Sequence, residues 1–159
     1  VSIVLDPRFT TGFTGSINSP NPTGHQRQAA VDKTVVWIDG EKHWLYTAAG
    51  PDSNGLLHTK LEPTRTNALA VLFFGELKQN HDVDHSVFLV DDATPLEEVW
   101  RRHGLVFRDE RHGDHNSAER IVRAVEKRTS CFSDCFSHVD PATADDWLNS
   151  FAFAWNQHI

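Results

Sequence analysis

The chain contains no methionine, one tyrosine and only two cysteines among its 159 residues. Two cysteines are too few for a disulfide framework, so a core of packed apolar side chains must hold the fold. No apolar run approaches the roughly 18 to 20 residues that a membrane span needs. The N-terminus lacks a basic patch followed by an apolar stretch, so no secretory leader is expected and a reducing cytoplasmic setting is. The absence of methionine, with Val1 at the start, leads us to expect a non-ATG start or a chain cut from something longer.

Lysine is also scarce. There are 5 Lys against 10 Arg and 14 Asp against 8 Glu, a balance that suits a high-salt cytoplasm. The net charge of −7 argues against a general nucleic-acid binder. Residues 101–128 run the other way, with eight Lys/Arg against five Asp/Glu. What remains is ordinary: 39% hydrophobic and 23% charged residues, enough for one domain with a proper core.

Residues 1–29 carry a Thr, Gly, Ser, Asn and Pro mixture with no periodicity, and read as an irregular or disordered segment before a domain spanning 30–159. Val31 to Ile38 is a β-branched run that stops at Asp39-Gly40, a hairpin signal. Trp44 to Ala49 and Leu56 to Leu61 continue an antiparallel meander, with turn residues between them. Helical spacing follows from Thr66 to Lys78. His85 to Asp91 is a continuous apolar run ending in acid, which suits a strand buried on both faces. Thr94-Pro95-Leu96-Glu97 opens a helix ending near Gly104. Leu105 to Phe107 forms a fifth strand, Asn116 to Arg128 a helix, and Asp140-Pro141 starts a last helix. The predicted class is α/β: a ribonuclease-H-like, mixed five-stranded sheet in the order β-β-β-α-β-α-β-α, flanked by helices.

In that order the fourth strand pairs in parallel with the first. Asp32, at the head of strand one, and Asp91, at the carboxyl end of strand four, then share one end of the sheet. Glu119 lies in the first turn of the third helix. Three converging carboxylates repel unless a cation neutralises them, and oxygen donors select Mg²⁺ or Mn²⁺. Two such ions can clamp the attacking and leaving oxygens of a phosphoryl displacement. Each acid has a plainer reading: a solvated strand residue for Asp32, a cap or turn with Asp92 for Asp91, and a capping-box partner of Asn116 for Glu119.

The segments VDKTVVWIDGEKHWLYTAAGPDSNGLLHTKLEPTRT and FLVDDATPLEEVWRRHGLVFRDERHGDHNSAERIVRAVEKRTSCFSDCFSHVDPATADDWLNSFAFAWNQ resemble the catalytic domain of DDE insertion-sequence transposases, in a branch common in halophilic archaea. The resemblance runs from about Val31 to the C-terminus. It implies Asp32, Asp91 and Glu119 as catalytic and metal-binding residues and Mg²⁺ or Mn²⁺, as two ions. It also implies DNA as the partner, cut and joined at element ends, and a homo-oligomer with no membrane association. There are departures. Residues 1–29 hold no helix-turn-helix, Lys33 follows the first Asp where Glu is usual, and Asp92 follows the second where Gly is common. Glu126 stands seven residues after Glu119, where Lys or Arg is expected. These departures lead us to expect an N-terminally truncated, decaying copy.

Arg120, Arg123, Lys127 and Arg128, with Arg101, Arg102, Arg108 and Arg111, are candidates to track a DNA backbone, against the plainer reading of a solvated helix face. Cys131 and Cys135, spaced C-x₃-C near His112, His115 and His138, lack the paired spacing of a zinc site and are expected to be small buried apolar groups. Trp147, Phe151 and Trp155 form a helix stripe expected to face the core.

Overall fold

The structure is a computed structural model, which describes residues 27–90, 97–109, 116–131, 136 and 138–158. Nine elements follow in chain order: β1 (Gln28–Ile38), β2 (Glu41–Gly50), β3 (Gly55–Glu62), α1 (Asn67–Asn80), β4 (Val87–Val90), α2 (Glu97–His103), β5 (Val106–Asp109), α3 (Asn116–Cys131) and α4 (Pro141–Asn156). One five-stranded sheet runs β3-β2-β1-β4-β5. The first three strands pair antiparallel, while β4 pairs in parallel with both β1 and β5.

The meander forms because its turns accept left-handed backbone. Asp39 and Gly40 have φ of 47° and 75°, the pair of positive values a tight two-residue hairpin requires. Asn54, at φ 54°, closes the second turn. Thr66 caps α1 by accepting the Leu69 N–H, and Asp140 caps α4 by accepting the Thr143 N–H with Pro141 at the first helical position.

Strand alternation divides the core in two. Ala29 and Val31 of β1, with Tyr46 and Ala48 of β2, face Ala70, Phe73, Phe74 and Leu77 of α1 and Val99 and Trp100 of α2. Ala30 of β1, with Leu45 and Ala49 of β2, faces Ala118, Ile121 and Val125 of α3 and Leu148 and Phe151 of α4. Phe74 and Trp100 meet at 4.4 Å between ring centroids in the first layer. In the second, Trp147, Phe151 and Trp155 form the expected stripe, each ring following the last at 5.7 and 5.8 Å.

Several boundaries differ from the sequence expectation, each for a local reason. β1 starts at Gln28, because Gln28–Val31 pair with Val87–Val90 of β4. The strand therefore takes in the last residues of the segment read as irregular, and Asp32 sits inside β1 instead of at its head. β4 starts at Val87, because residues before it turn and the Ser86 N–H bonds the Val83 carbonyl. β5 starts one residue late: Leu105 is drawn back to α2, its N–H bonding the Trp100 carbonyl, after Gly104 turns at φ 62°. The N-terminal segment up to residue 26, and the predicted helix opening at 94–96, lie outside the described residues. Among the described residues, no helix is long and apolar enough to cross a membrane.

Candidate catalytic site

Asp32 lies one residue beyond the described pairing of β1 with β4. On one side β1 stays paired with β2, Asp32 standing opposite Thr47. On the other side the described pairing with β4 runs as far as Val31, opposite Val90. Asp32 is thus the next β1 residue beyond that pairing, toward the carboxyl end of the parallel strands, where open α/β sheets place their ligands. Period-two alternation from Ala30 puts Asp32 on the face covered by α3 and α4. It is half-buried, and its Oδ1 accepts the Lys33 N–H at 2.8 Å.

Two side-chain contacts set α3 along that face. Arg120 Nη1 donates to Asn54 Oδ1 at 2.6 Å, at the end of the sheet where Gly50 turns into β3. Farther along, Thr34 Oγ1 donates to Glu126 Oε1 at 3.4 Å. The helix therefore runs in the direction of β1, and Asp32 lies between the rows its two contacts mark. Glu119, in the first turn of α3, is half-buried and its Oε2 meets Arg123 Nη2 at 3.2 Å. Seven residues on a helix return to nearly the same face, so Glu119 and Glu126 share the flank turned to β1.

Asp32 and Glu119 are thus brought to one face of one sheet by elements distant in sequence. Asp91 lies outside the described residues; the described strand stops at Val90, one residue short of it. Among the described residues, no group of three His, Cys, Asp or Glu side chains gathers as a metal cluster. The donor chemistry of Asp32 and Glu119, oxygen alone, fits a hard dication such as Mg²⁺. A further polar atom points the same way: among the described residues Thr47 Oγ1 is buried with no hydrogen-bond partner, on the row directly across from Asp32.

The basic candidates separate. Arg120, Arg123 and Lys127 are exposed on α3 away from its packed stripe. Arg128 is exposed as well, but its guanidinium carbon lies 5.0 Å from the Phe151 ring centroid, where it ties α3 to α4. Arg101, Arg102 and Arg108 are exposed on α2 and β5. Arg111, His112, His115 and Cys135 lie outside the described residues, as does the side chain of Cys131, while His138 is exposed. Thr34, Thr47 and Asn54 were not singled out from the sequence. Thr34 carried one usable signal, standing two residues from Asp32 in a strand and so on its face.

No family model matches the chain, and no curated protein does. Solved structures do. A simian T-cell lymphotropic virus intasome, in complex with the PP2A regulatory subunit B56 gamma, matches over 84% of this chain with a TM-score of 0.60 and 11% identity. The match covers 49% of that neighbour, so the chain spans about half its length. The HTLV-2 integrase catalytic core domain in complex with magnesium, in its dimeric form, matches 84% of this chain and 88% of its own, with a TM-score of 0.59 and 12% identity. Its trimeric form gives 0.54 and 10% identity over 80% of this chain and 82% of its own. At such identities the likeness is one of fold: the chain has the ribonuclease-H-like fold of integrase catalytic cores.

Proposed function

We propose that the chain is the catalytic domain of a DDE-type transposase, which cleaves DNA at insertion-sequence ends and transfers the strand to a target. The observation that carries this reading is the position of Asp32. It stands on β1 one residue beyond the described pairing with β4, beneath the helix that carries Glu119, in a sheet of integrase-core topology. Asp32, Asp91 and Glu119 are the proposed catalytic and metal-holding residues, and Mg²⁺ or Mn²⁺ the proposed ions. The magnesium bound by the HTLV-2 integrase core supports that choice of metal. When bound, the ions supply charge neutralisation on the phosphodiester under attack, first by water and then by a DNA 3′-hydroxyl. The protein's part is positioning: the sheet holds Asp32 and the α3 packing holds Glu119, so little reorganisation is left for the reacting complex. Arg120, Arg123 and Lys127 would meet the DNA backbone, with Arg128 at the α4 side of the same helix.

The test is nicking and strand transfer of end-containing DNA with Mg²⁺. Asp32→Asn and Asp91→Asn each abolish both activities while leaving the circular dichroism spectrum intact. Unchanged activity in either variant sinks the assignment. Cleavage of RNA–DNA hybrids without preference for element ends replaces it with another metal nuclease on the same fold.

Glu126 favours a second reading, a folded remnant that catalyses nothing. Its carboxylate bonds Thr34, two residues past Asp32, and adds negative charge where DNA phosphates would pass. Titration of Mn²⁺ by calorimetry separates the two: saturable binding lost in Asp32→Asn supports the enzyme, and no binding by the parent supports the remnant.

A further inference from the structure

The β1–β2 hairpin extends past the cover of α1 on the face opposite Asp32. Lys33, Val35 and Trp37 alternate onto that face of β1; Tyr46, Trp44 and Lys42 stand opposite them on β2. Nearest α1 this face is sealed, with Tyr46 buried under Phe73. Toward the turn it opens, and Trp37 is 63% exposed. An indole that open is unusual, since a large aromatic normally hides most of its surface.

Two cations lie on the same face, both over the neighbouring Trp44. Lys42, directly across from Trp37, has its Nζ 4.5 Å from the Trp44 ring centroid. Arg65, from the link between β3 and α1, has its guanidinium carbon 5.2 Å from the same ring. Both side chains are exposed. The N-terminal end of α1 follows at once, with no acidic residue in its first turn, so its partial positive charge adds to theirs. Of the described carboxylates near this face, Glu62 lies 3.7 Å from Lys60 Nζ, Glu76 bonds Lys60 and His58, and Asp39 is exposed in the hairpin turn. Glu41 pairs with Ile38, and so alternates to the other face.

We propose that this hairpin face is a platform for single-stranded nucleic acid, with Trp37 stacking on a base and Lys42 and Arg65 meeting the flanking phosphates. Charge complementarity selects a polyanion, and the open ring selects its strandedness. A base inside a duplex is already stacked on both sides, whereas an unpaired one has a free π-face. Five residues of strand separate Trp37 from Asp32, roughly 17 Å, and the two point to opposite faces of the sheet. The platform would therefore hold a second stretch of the strand, or a second strand, and not the phosphodiester at the acids. It rests on the reading of the chain as a DNA-handling core.

The test is fluorescence anisotropy of a labelled oligo(dT) of about a dozen nucleotides, titrated with the full chain in EDTA at several salt concentrations. The parent binds, with affinity that falls as salt rises. Trp37→Ala and Trp37→Leu weaken binding at least about fivefold, while Trp37→Phe retains most of it. Lys42→Gln and Arg65→Gln each flatten the logarithmic salt slope by about 0.7. Curves for Trp37→Ala and for the Lys42→Gln/Arg65→Gln pair that superimpose on the parent overturn the proposal. So does absence of binding at low salt, or self-association of the parent that Trp37→Ala abolishes without any oligonucleotide binding. Because no metal is present, the readout is independent of cleavage: nicking lost in Asp32→Asn speaks for the proposed function, and affinity lost in Trp37→Ala speaks for the platform.

Discussion

Glu126 leans on β1 at Thr34, one strand period beyond Asp32, and on the proposed reading its charge opposes DNA contact along α3. Its flank of the helix faces the sheet edge that a phosphate backbone would follow on the proposed reading. Glu126→Lys removes one repulsion and adds one attraction. Binding of end-containing DNA should tighten, and the dependence of log affinity on log salt should steepen by about 0.9 for each phosphate gained. An unchanged slope would place the DNA path elsewhere. Thr47 presents a different residue-scale question. Its hydroxyl is fully buried and has no partner among the described residues, a state that costs about 1 to 3 kcal/mol. Thr47→Val should therefore leave thermal stability unchanged or raise it, measured by calorimetric melting. A loss of more than about 1 kcal/mol would mean that the hydroxyl already has a partner.

At the scale of elements, β3 is one of the two outer strands of the described sheet and needs protection from pairing with another chain. The last turn of α4 supplies it. Asn156 Oδ1 accepts the Leu56 N–H at 2.8 Å and its Nδ2 donates to the Leu56 carbonyl at 2.8 Å, so one amide imitates a strand neighbour. Trp155 Nε1 donates to the Asn54 carbonyl at 3.1 Å beside it. Asn156→Ala strips two backbone groups of their partner at once. Chemical denaturation should show a loss of about 1 to 3 kcal/mol, with faster hydrogen exchange at Leu56. The α3 helix depends on the same corner, since Arg120 bonds the Asn54 side chain. The turn Asn54-Gly55 therefore places the helix bearing Glu119 as well as joining two strands.

For the whole molecule, titratable groups held wholly or partly out of water make stability depend on pH. Burial pushes His58 and His81 below the ordinary histidine value of 6.5; at His58 it outweighs the favourable bond to Glu76. The unfolded chain then binds protons near pH 6.5 that the folded chain does not. Stability due to these groups is complete above that pH and declines on acidification. Burial also pushes Glu62 and Asp145 up from 4.5 and 3.8, which has the opposite sign: stability falls as pH rises through the range just above those values. Melting temperature should drop between pH 7 and pH 5.5, and a His58→Gln/His81→Gln variant should flatten that drop. A slope equal to the parent's would show that these histidines titrate alike in both states.

Much of this architecture was legible from local signals. Asp39-Gly40 announced a hairpin because positive φ is cheap for those residues, and Thr66 and Asp140-Pro141 announced helix starts because they satisfy free N–H groups. The stripe of Trp147, Phe151 and Trp155 announced a buried helix face by its spacing. These features depend on residues within a few positions of one another, so the chain alone determines them. The extent of β1 was not legible, because Gln28 and Ala29 become strand only when β4 lies beside them. Nor were the contacts of Asn54 with α3 and α4, of Glu126 with β1, and of Asn156 with β3, which join residues 66, 101, 92 and 100 positions apart. Three carboxylates could be picked out as a set by their elements; that Asp32 and Glu119 share one face, while Trp37 opens on the other, is a consequence of strand order and pleat. Pairing across a sheet is decided by which surfaces can be buried together, and that becomes defined only when the chain closes on itself.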